Sequence, residues 1–243
     1  MAETANVKPY QNEGSKKEQV ESMFNRIAGT YDVMNRVLSA GIDKSWRKKA
    51  IALLKEKKPQ LILDVATGTA DFAIQALELH PQKITGIDIS EKMLDVGREK
   101  IKNKKKESQI ELIQADSENM PFQDSHFDAV TVAFGVRNFE NLPKGLSEIF
   151  RVLKPNGTAV ILEFSKPTAF PIKQLYAFYF WAILPLIGKV FSADAHAYTY
   201  LPRSVEAFPE GKKFTDIFEN IGFKNVRCYR LTFGIASIYA GTK

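Results

Sequence analysis

The chain has few of the side chains that build covalent or metal-held scaffolds. Cys228 is the one cysteine among 243 residues, which excludes a disulfide framework and a cysteine-based zinc site. The three histidines, His80, His126 and His196, stand at no metal-ligand spacing, which argues against a histidine-based metal site. The sequence therefore predicts no metal cofactor.

Long apolar runs are also missing. The first 19 residues contain no apolar core, so we expect no signal peptide there and predict that residues 1–17 form a disordered arm. The most apolar segment, Leu175–Gly188, is shorter than the roughly 20 residues that a membrane-spanning helix needs, and Pro185 interrupts it. We expect a cytoplasmic protein, with peripheral contact at the inner face of the membrane left open.

Negative charge is outnumbered, and the formal net charge is +6. This excess is compatible with nucleic acid, an acidic substrate or an anionic membrane surface, and charge alone does not choose among them. The hydrophobic fraction of 44% and the charged fraction of 26% are those of an ordinary globular protein. The length fits one doubly wound α/β domain with a modest insert.

Apolar periodicity divides the chain into two parts. From residue 18 to about residue 57, apolar side chains recur at three- and four-residue steps, which predicts helices. From residue 61, short apolar strands alternate with helices, which predicts a parallel sheet. The last two strands flank a tight turn, which predicts an antiparallel hairpin at one sheet edge. The predicted strands are Leu61–Ala66, Lys83–Ile89, Ile110–Gln114, Phe127–Phe134, Thr158–Phe164, Val226–Leu231 and Ile235–Ala240. The predicted helices after residue 61 are Ala70–Leu79, Glu91–Lys102, Asn141–Leu153 and Lys212–Ile221.

Candidate ligand-binding residues follow the first three strands. Gly68 stands where the backbone must turn sharply and a helix N-terminus offers free N–H groups. It is the one glycine there, so the G-x-G-x-x-G fingerprint is not met and a nicotinamide cofactor is disfavoured. Asp88 ends the second strand, where an acidic side chain can accept hydrogen bonds from both hydroxyls of a ribose, and Asp116 can accept from an adenine amine. Either aspartate alone is equally well explained as a helix cap, but three such residues at successive strand ends favour a ligand site.

Several longer motifs make the sequence resemble the ubiquinone/menaquinone-biosynthesis C-methyltransferases from about residue 20 to its end. The segment Tyr31–Ser39 reads YDVMNRVLS and is followed by Trp46. The remaining motifs are Phe134–Asn138 (FGVRN), Arg151–Gly157 (RVLKPNG), Glu163–Ser165 (EFS) and Tyr200–Pro209.

The sequence departs from the family pattern at three positions. Asp43 stands where the family usually has histidine, so the role of that histidine is not carried over. Asn156 replaces a glycine, which a turn tolerates because asparagine accepts left-handed backbone angles. Ala133 stands where some members have serine, and we assign no polar contact there.

The resemblance implies a fold and a cofactor. The fold is α/β, a class I S-adenosylmethionine methyltransferase: a Rossmann-like doubly wound sheet with a C-terminal antiparallel hairpin, N-terminal helices and an apolar helical insert. One domain would cover residues 18–243, with a substrate-covering insert at about 166–205. The cofactor would be S-adenosyl-L-methionine. Its binding residues would be Gly68, Thr69, Asp88, Asp116 and Ser117.

The resemblance also implies a reaction. It is C-methylation of a polyprenylated hydroquinone, most simply demethylmenaquinol to menaquinol in menaquinone biosynthesis. Two alternatives stay open: benzoquinol methylation in ubiquinone biosynthesis, and a non-catalytic scaffold of a quinone-biosynthesis complex. Removing a phenolic proton makes the neighbouring ring carbon nucleophilic. We expect Arg137 to stabilise the phenolate, with Asn138 helping to hold the water that takes the proton. Arg137 as a structural ion-pair partner, and His196 as a rival base, are the competing interpretations.

Two basic or apolar segments have a functional and a structural interpretation. Leu175–Gly188 is either a buried core helix or a lid over an isoprenoid tail, with Tyr176, Phe180 and Trp181 at a membrane interface. Lys102–Lys106 is either a solvated loop or a contact for anionic lipid. The chain lacks the N/D-P-P-Y/F motif of amino-methylating enzymes, so we expect no nucleic-acid partner. A homodimer is left open.

Overall fold

The alternation of strands and helices predicted from residue 61 onward is present in the structure. The computed structural model describes residues 7–10, 13–39, 41–183 and 194–243. The strands are β1 Leu61–Val65, β2 Lys83–Asp88, β3 Ile110–Gln114, β4 Phe127–Ala133, β5 Leu153–Phe164, β6 Lys224–Leu231 and β7 Ala236–Thr242. The helices are α1 Lys16–Ile27, α2 Tyr31–Ser39, α3 Ile42–Ala52, α4 Asp71–Ala76, α5 Glu91–Asn103, α6 Leu142–Val152, α7 Ile172–Phe178, α8 Ala195–Ala207 and α9 Lys212–Ile221.

The seven strands form one sheet in the order β3-β2-β1-β4-β5-β7-β6. The first five strands run parallel, and β7 is antiparallel to both of its neighbours. The predicted doubly wound sheet with a C-terminal antiparallel hairpin is therefore confirmed. Because parallel strands end at the same edge, the loops after β1, β2, β3 and β4 meet there.

Alternating strand residues supply two apolar layers. Leu63 and Val65 face the layer that holds α6 and α9, whereas Ile62 faces the layer that holds α3, α4 and α5. A third apolar cluster joins α1 to α8 and to Phe180, which follows α7. The N-terminal helix and the insert therefore pack against each other.

Strand β5 begins five residues before its predicted start at Thr158. It first pairs with β4 at Leu153, and the register shifts before Thr158 pairs with Ala129. Asn156 takes φ +65° in this bulge, as expected of asparagine in place of glycine. Pro155 and Gly157 lie in this shift of register, and strand β5 continues through them.

Helix α1 begins at Lys16, inside the predicted arm. The Ser15 side chain accepts a hydrogen bond from the backbone of Glu18, and the Glu18 side chain accepts from the backbone of Ser15. This capping box satisfies two free donors of the first turn, so the helix starts before residue 18. Residues 1–6, 11 and 12 of the arm, and residues 184–193 of the insert, lie outside the described residues. In the described ranges no helix is long and apolar enough to cross a membrane.

Candidate active site

A cleft of about 680 Å³, its open mouth included, lies at the carboxyl ends of β1, β2 and β3. Four of the five residues predicted to bind a cofactor line it: Gly68, Asp88, Asp116 and Ser117. The first turn of α1 closes one side through Lys17 and Val20, which were not predicted as site residues. The three strand ends therefore converge as the sequence predicted.

The loop after β1 takes a shape that glycine adopts most easily. Gly68 has φ +56°, and Ala66 and Ala70 have φ +53° and +63°. A left-handed backbone costs a residue with a Cβ atom about 1–2 kcal/mol, so the two alanines are strained. The turn therefore forms with alanine at two positions where glycine would fit without strain, and this strain lowers the stability of the fold.

Asp88 sits where it can serve both the loop and a ligand. Its carboxylate accepts hydrogen bonds from the backbone N–H groups of Gly68 at 2.8 Å and Ser90 at 2.9 Å. Burial raises the pKa of Asp88 to about 6, against the opposing effect of these N–H donors. The cap of α5 is instead Ser90, whose hydroxyl accepts from the Met93 N–H. Asp88 is therefore not the capping residue of this helix.

Thr69 does not line the cleft, in contrast to the other four predicted residues. Its hydroxyl donates to Asp32 at 2.6 Å and accepts from Lys100 at 3.1 Å. Lys100 also forms an ion pair with Asp71 at the start of α4. Thr69 thus joins the loop to helix α2, and its side chain is engaged in that network.

Asp116 carries an ion pair with Lys17, with 3.0 Å between Nζ and Oδ2. Its other carboxylate oxygen accepts from the Glu118 N–H at 2.8 Å. The Lys17 and Asp116 side chains are both partly exposed, so this pair contributes little to stability. It does bring the N-terminal helix across the mouth of the cleft.

A second, mainly apolar cavity adjoins the first. It encloses about 1630 Å³, its open mouth included, and is lined by α1, α2, α3, the insert and the hairpin turn. Phe24, Tyr31 and Phe134 line both spaces, so the cleft and the cavity meet at three aromatic rings. Sequence reasoning did not assign these three rings to the site.

The insert does line this cavity, but its aromatic side chains face different ways. Phe180 is buried at 6% exposure and Tyr176 is half-buried, whereas Trp181 is 58% exposed. The expectation that all three lie at a membrane interface is therefore wrong for Phe180 and Tyr176. Both instead line the cavity.

Arg137 lies in a 3₁₀ turn after β4 and lines the apolar cavity. Its Nη1 lies 2.9 Å from Oε1 of Glu163 and also donates to the carbonyl of Phe134. Burial raises the pKa of Glu163, while the Arg137 charge opposes the rise. The Nε atom of Arg137 is buried with no partner among the described residues. The ion-pair interpretation is therefore present in the structure, together with one unused donor.

Asn138 lies between the two spaces. Its side chain lines the cofactor cleft, and its Oδ1 accepts a hydrogen bond from the hydroxyl of Tyr200 at 3.1 Å. Tyr200 lines the apolar cavity and belongs to the Tyr200–Pro209 motif. The structure thus brings together two motifs that are 62 residues apart.

Lys16 is a contributor that the sequence did not reveal. Its Nζ donates to the backbone carbonyls of Arg137 and Phe139, both at 2.9 Å. Its own N–H donates to the Glu140 carboxylate at 2.8 Å. Burial, followed by the charge of Arg137, lowers the pKa of Lys16 to about 8. The capping box at Ser15 was the available signal that a helix begins beside this lysine.

Two other predicted positions lie away from the site, whereas a third lies in the cavity wall. His196 is exposed, does not line the cavity and meets the ring of Tyr10 edge-on at 5.7 Å, so it is no rival base in this structure. Lys102–Lys106 begins in the last turn of α5 and continues into the loop before β3, at the amino ends of the strands and opposite the site. Asp43, at the usual histidine position, lines the cavity and pairs with Arg47. In the described ranges no group of three or more His, Cys, Asp or Glu residues is arranged to hold a metal ion.

Comparisons with known proteins agree with this geometry. A sequence model of the ubiE/COQ5 methyltransferase family matches residues 12–243. Demethylmenaquinone methyltransferase of Bacteroides fragilis is 51% identical over 238 residues, covering 98% of this chain and 97% of the relative. Ubiquinone/menaquinone biosynthesis C-methyltransferase UbiE of Geotalea daltonii is 46% identical, covering 94% and 97%.

The fold comparison is consistent with the family match. A SAM-dependent methyltransferase from Thermotoga maritima superposes with a TM-score of 0.64 at 18% identity, covering 91% of this chain and 99% of that structure. At this identity the likeness concerns the fold alone. The chain belongs to the ubiE/COQ5 methyltransferase family and is an S-adenosylmethionine-dependent C-methyltransferase.

Proposed function

We propose that the chain methylates a ring carbon of a polyprenylated hydroquinone, with demethylmenaquinol as the acceptor, in menaquinone biosynthesis. The observation that carries this proposal is the junction of the polar cleft and the apolar cavity at Phe24, Tyr31 and Phe134. A methyl donor in the cleft and an apolar ring in the cavity would meet there. The relatives named for demethylmenaquinone support this acceptor.

The residues of the cleft fit S-adenosylmethionine. Asp88 offers carboxylate oxygens for ribose hydroxyls, and Asp116 offers them for the adenine amine, as open α/β sheets commonly do. Gly68 leaves its backbone open to close approach by a ligand, and Ser117 lines the same wall. When bound, this cofactor supplies an electrophilic methyl group on a sulfonium.

The cavity suits a ring with an isoprenoid tail. It is lined mainly by aromatic and aliphatic side chains, and its volume exceeds what a quinol ring alone would fill. Orientation of a ring would depend on the polar side chains and tyrosine hydroxyls among the lining residues. Phe24, Tyr31 and Phe134 exclude water where transfer would occur and present aromatic faces to a cation.

We assign Arg137 and Asn138 the two polar tasks of the chemistry. A neutral aromatic carbon is a poor nucleophile, and loss of the phenolic proton moves electron density onto the adjacent carbon. Arg137, held by Glu163, stabilises the oxygen that gains charge. The proton leaves through water held between Arg137 and Asn138. Catalysis then requires the ring carbon and methyl to stand about 3–3.5 Å apart and in line.

The rim of the cavity supports contact with a bilayer, from which a lipid-borne quinol would enter. Ile42 and Leu175 line the cavity and are 42% and 61% exposed. Other large apolar side chains are exposed close to cavity-lining residues in the sequence. These are Val33, Phe170, Phe178, Trp181, Ile183 and Phe233. A contiguous patch of these side chains would be unusual on a protein surface unless it contacted a partner or a membrane.

An acceptor panel tests the proposal. The purified chain is supplied with S-adenosylmethionine and, separately, with reduced demethylmenaquinone and with the benzoquinol precursor of ubiquinone. Mass spectrometry of the extracted lipids measures methylation. We expect the naphthoquinol to be methylated faster. Preference for the benzoquinol would support the ubiquinone alternative, and cofactor binding without S-adenosylhomocysteine release would support the scaffold alternative.

A further inference from the structure

A residue that lines the apolar cavity carries a buried hydroxyl with no hydrogen-bond partner in the part of the chain that the structure describes. This is the Oη of Tyr176, on helix α7 of the insert. The Tyr176 ring stacks on Phe180 with 4.2 Å between ring centroids and 30° between planes. Phe180 in turn meets the edge of Phe164 at 6.4 Å. The Tyr176 ring is thus fixed by packing, and no described residue accepts from its hydroxyl.

Two other buried tyrosines, by contrast, have hydrogen-bonded hydroxyls. Tyr200 donates to Oδ1 of Asn138 at 3.1 Å, and the hydroxyl of Tyr239 accepts from the Gly211 N–H at 2.7 Å. Buried polar groups are nearly always paired, because an unpaired one loses its hydration without compensation. An unpaired hydroxyl in the wall of a cavity therefore indicates that a ligand completes it.

The state of the hydroxyl defines what it can bind. Burial raises the pKa of Tyr176 well above its usual range, and the negative charges of Glu210 and Glu163 act in the same direction. The group is therefore protonated at neutral pH and can donate a hydrogen bond. The same cavity is lined by Arg137, whose Nε–H is also buried without a partner among the described residues. Two unused donors in one apolar cavity match an apolar ligand that carries two acceptor oxygens.

We propose that the Tyr176 hydroxyl donates a hydrogen bond to one ring oxygen of the hydroquinone, while Arg137 binds the oxygen next to the methylated carbon. This inference rests on the proposed function and adds a substrate-binding residue to it. A ring held at both oxygens has one orientation relative to Phe24, Tyr31 and Phe134. Tyr176 would therefore help to place the open ring carbon in line with the methyl group.

The test removes this hydroxyl alone and compares it with a paired one. Tyr176→Phe keeps the ring that stacks on Phe180, and Tyr239→Phe removes a hydroxyl that is already satisfied by Gly211. For each variant, kcat and KM for the quinol, the Kd for S-adenosylmethionine and the melting temperature without quinol are measured. Product analysis reports which ring carbon carries the methyl group.

For Tyr176→Phe we expect kcat/KM for the quinol to fall about tenfold, which is about 1.4 kcal/mol, with cofactor Kd unchanged. Its melting temperature should equal or exceed that of the wild type, because an unpaired buried hydroxyl is removed. Tyr239→Phe should lower the melting temperature and leave kcat/KM of the folded enzyme unchanged. Normal kcat/KM in Tyr176→Phe, or a melting temperature lowered as in Tyr239→Phe, would overturn the inference. No turnover by the wild type would overturn the proposed function itself.

Discussion

Arg137 Nη1 and Glu163 Oε1 lie 2.9 Å apart, and the Glu163 side chain is completely buried. The same Arg137 nitrogen donates to the Phe134 carbonyl, and the guanidinium carbon lies 5.5 Å from the centroid of the Phe164 ring. The planar guanidinium is therefore fixed on one side, while its Nε has no partner among the residues that the structure describes. This arrangement makes Arg137 both a structural ion-pair partner and a preorganised donor.

Replacing Arg137 by lysine tests this double role. Lysine keeps the charge near Glu163 but loses the fork that also reaches Phe134 and the cavity. We expect kcat to fall about 100-fold, the scale for losing one oxyanion donor. The Kd for S-adenosylmethionine, measured by calorimetry, should change by less than about twofold. A combined loss of cofactor binding and turnover would show that Arg137 shapes the cleft instead.

Asp88 should control cofactor affinity, and should do so as a function of pH. Asp88→Ala should weaken S-adenosylmethionine binding by about 1.5–3 kcal/mol, the scale of a hydrogen bond to a charged group. Burial raises the pKa of Asp88 from 3.8 to about 6, so acidification below pH 6 protonates the acceptor. Affinity should therefore fall about tenfold between pH 7 and pH 5, as the ionised fraction falls.

Asp88→Asn supplies the control for that titration. The pKa of Asp64 is also raised to about 6 by burial, but Asp64 does not line the cleft. Calorimetry of the asparagine variant at the same pH values should give a nearly flat profile of cofactor affinity against pH. The carboxylate of residue 88 is then gone, and Asp64, which still titrates, does not line the cleft. A profile as steep as that of the wild type would assign the pH dependence to another group.

The cost of placing a side chain at Gly135 should depend on the Cβ atom of Ala66. A Cβ added to Gly135 would stand 2.5 Å from the Cβ of Ala66, and 3.2 Å from a methyl group of Val132. Gly135→Ala should therefore lower the free energy of unfolding by about 1–3 kcal/mol, as overpacking does. Ala66→Gly in the same chain should recover part of that loss, since it removes the contacted Cβ and the strain at φ +53°. Denaturant melts of both single variants and the double variant measure the coupling, and strict additivity would contradict it.

Trp181 and Phe180 form a matched pair for the membrane proposal. Trp181 is exposed and Phe180 is buried in the cavity wall. Trp181→Ser should weaken cosedimentation with phospholipid vesicles and slow turnover of long-tailed quinols more than short-tailed ones. Phe180→Ala should lower the melting temperature, because it removes buried aromatic surface. Unchanged vesicle binding by Trp181→Ser would show that Trp181 does not contact the bilayer.

The positions of the first four strands could be predicted from the sequence, because each depends on a short run of neighbouring residues. β1 to β4 match their predicted limits within one residue, since apolar runs bounded by polar turns specify strands directly. The common position of Asp88 and Asp116 in one cleft could be predicted because parallel strands end at one edge of the sheet.

The remaining site residues depend on partners that are distant in sequence. The Thr69 hydroxyl donates a hydrogen bond to Asp32, which is 37 residues away in sequence. Arg137 is paired with Glu163, which is 26 residues away. Lys16 lies in the predicted arm, and its contact with the Arg137 carbonyl depends on the packing of α1 against that turn. The insert is apolar throughout, so its sequence does not indicate which side chains are buried. Packing of the insert on α1 buries Phe180 and leaves Trp181 exposed.

Methyl transfer to a ring carbon where the cleft and the cavity meet is the step on which the proposed function depends. A single-turnover reaction of the purified chain, with reduced demethylmenaquinone and S-adenosylmethionine labelled with deuterium in its methyl group, tests this step. We expect one labelled methyl on a ring carbon for each S-adenosylhomocysteine released. Label on a ring oxygen, or a bound cofactor that releases no S-adenosylhomocysteine, would contradict it.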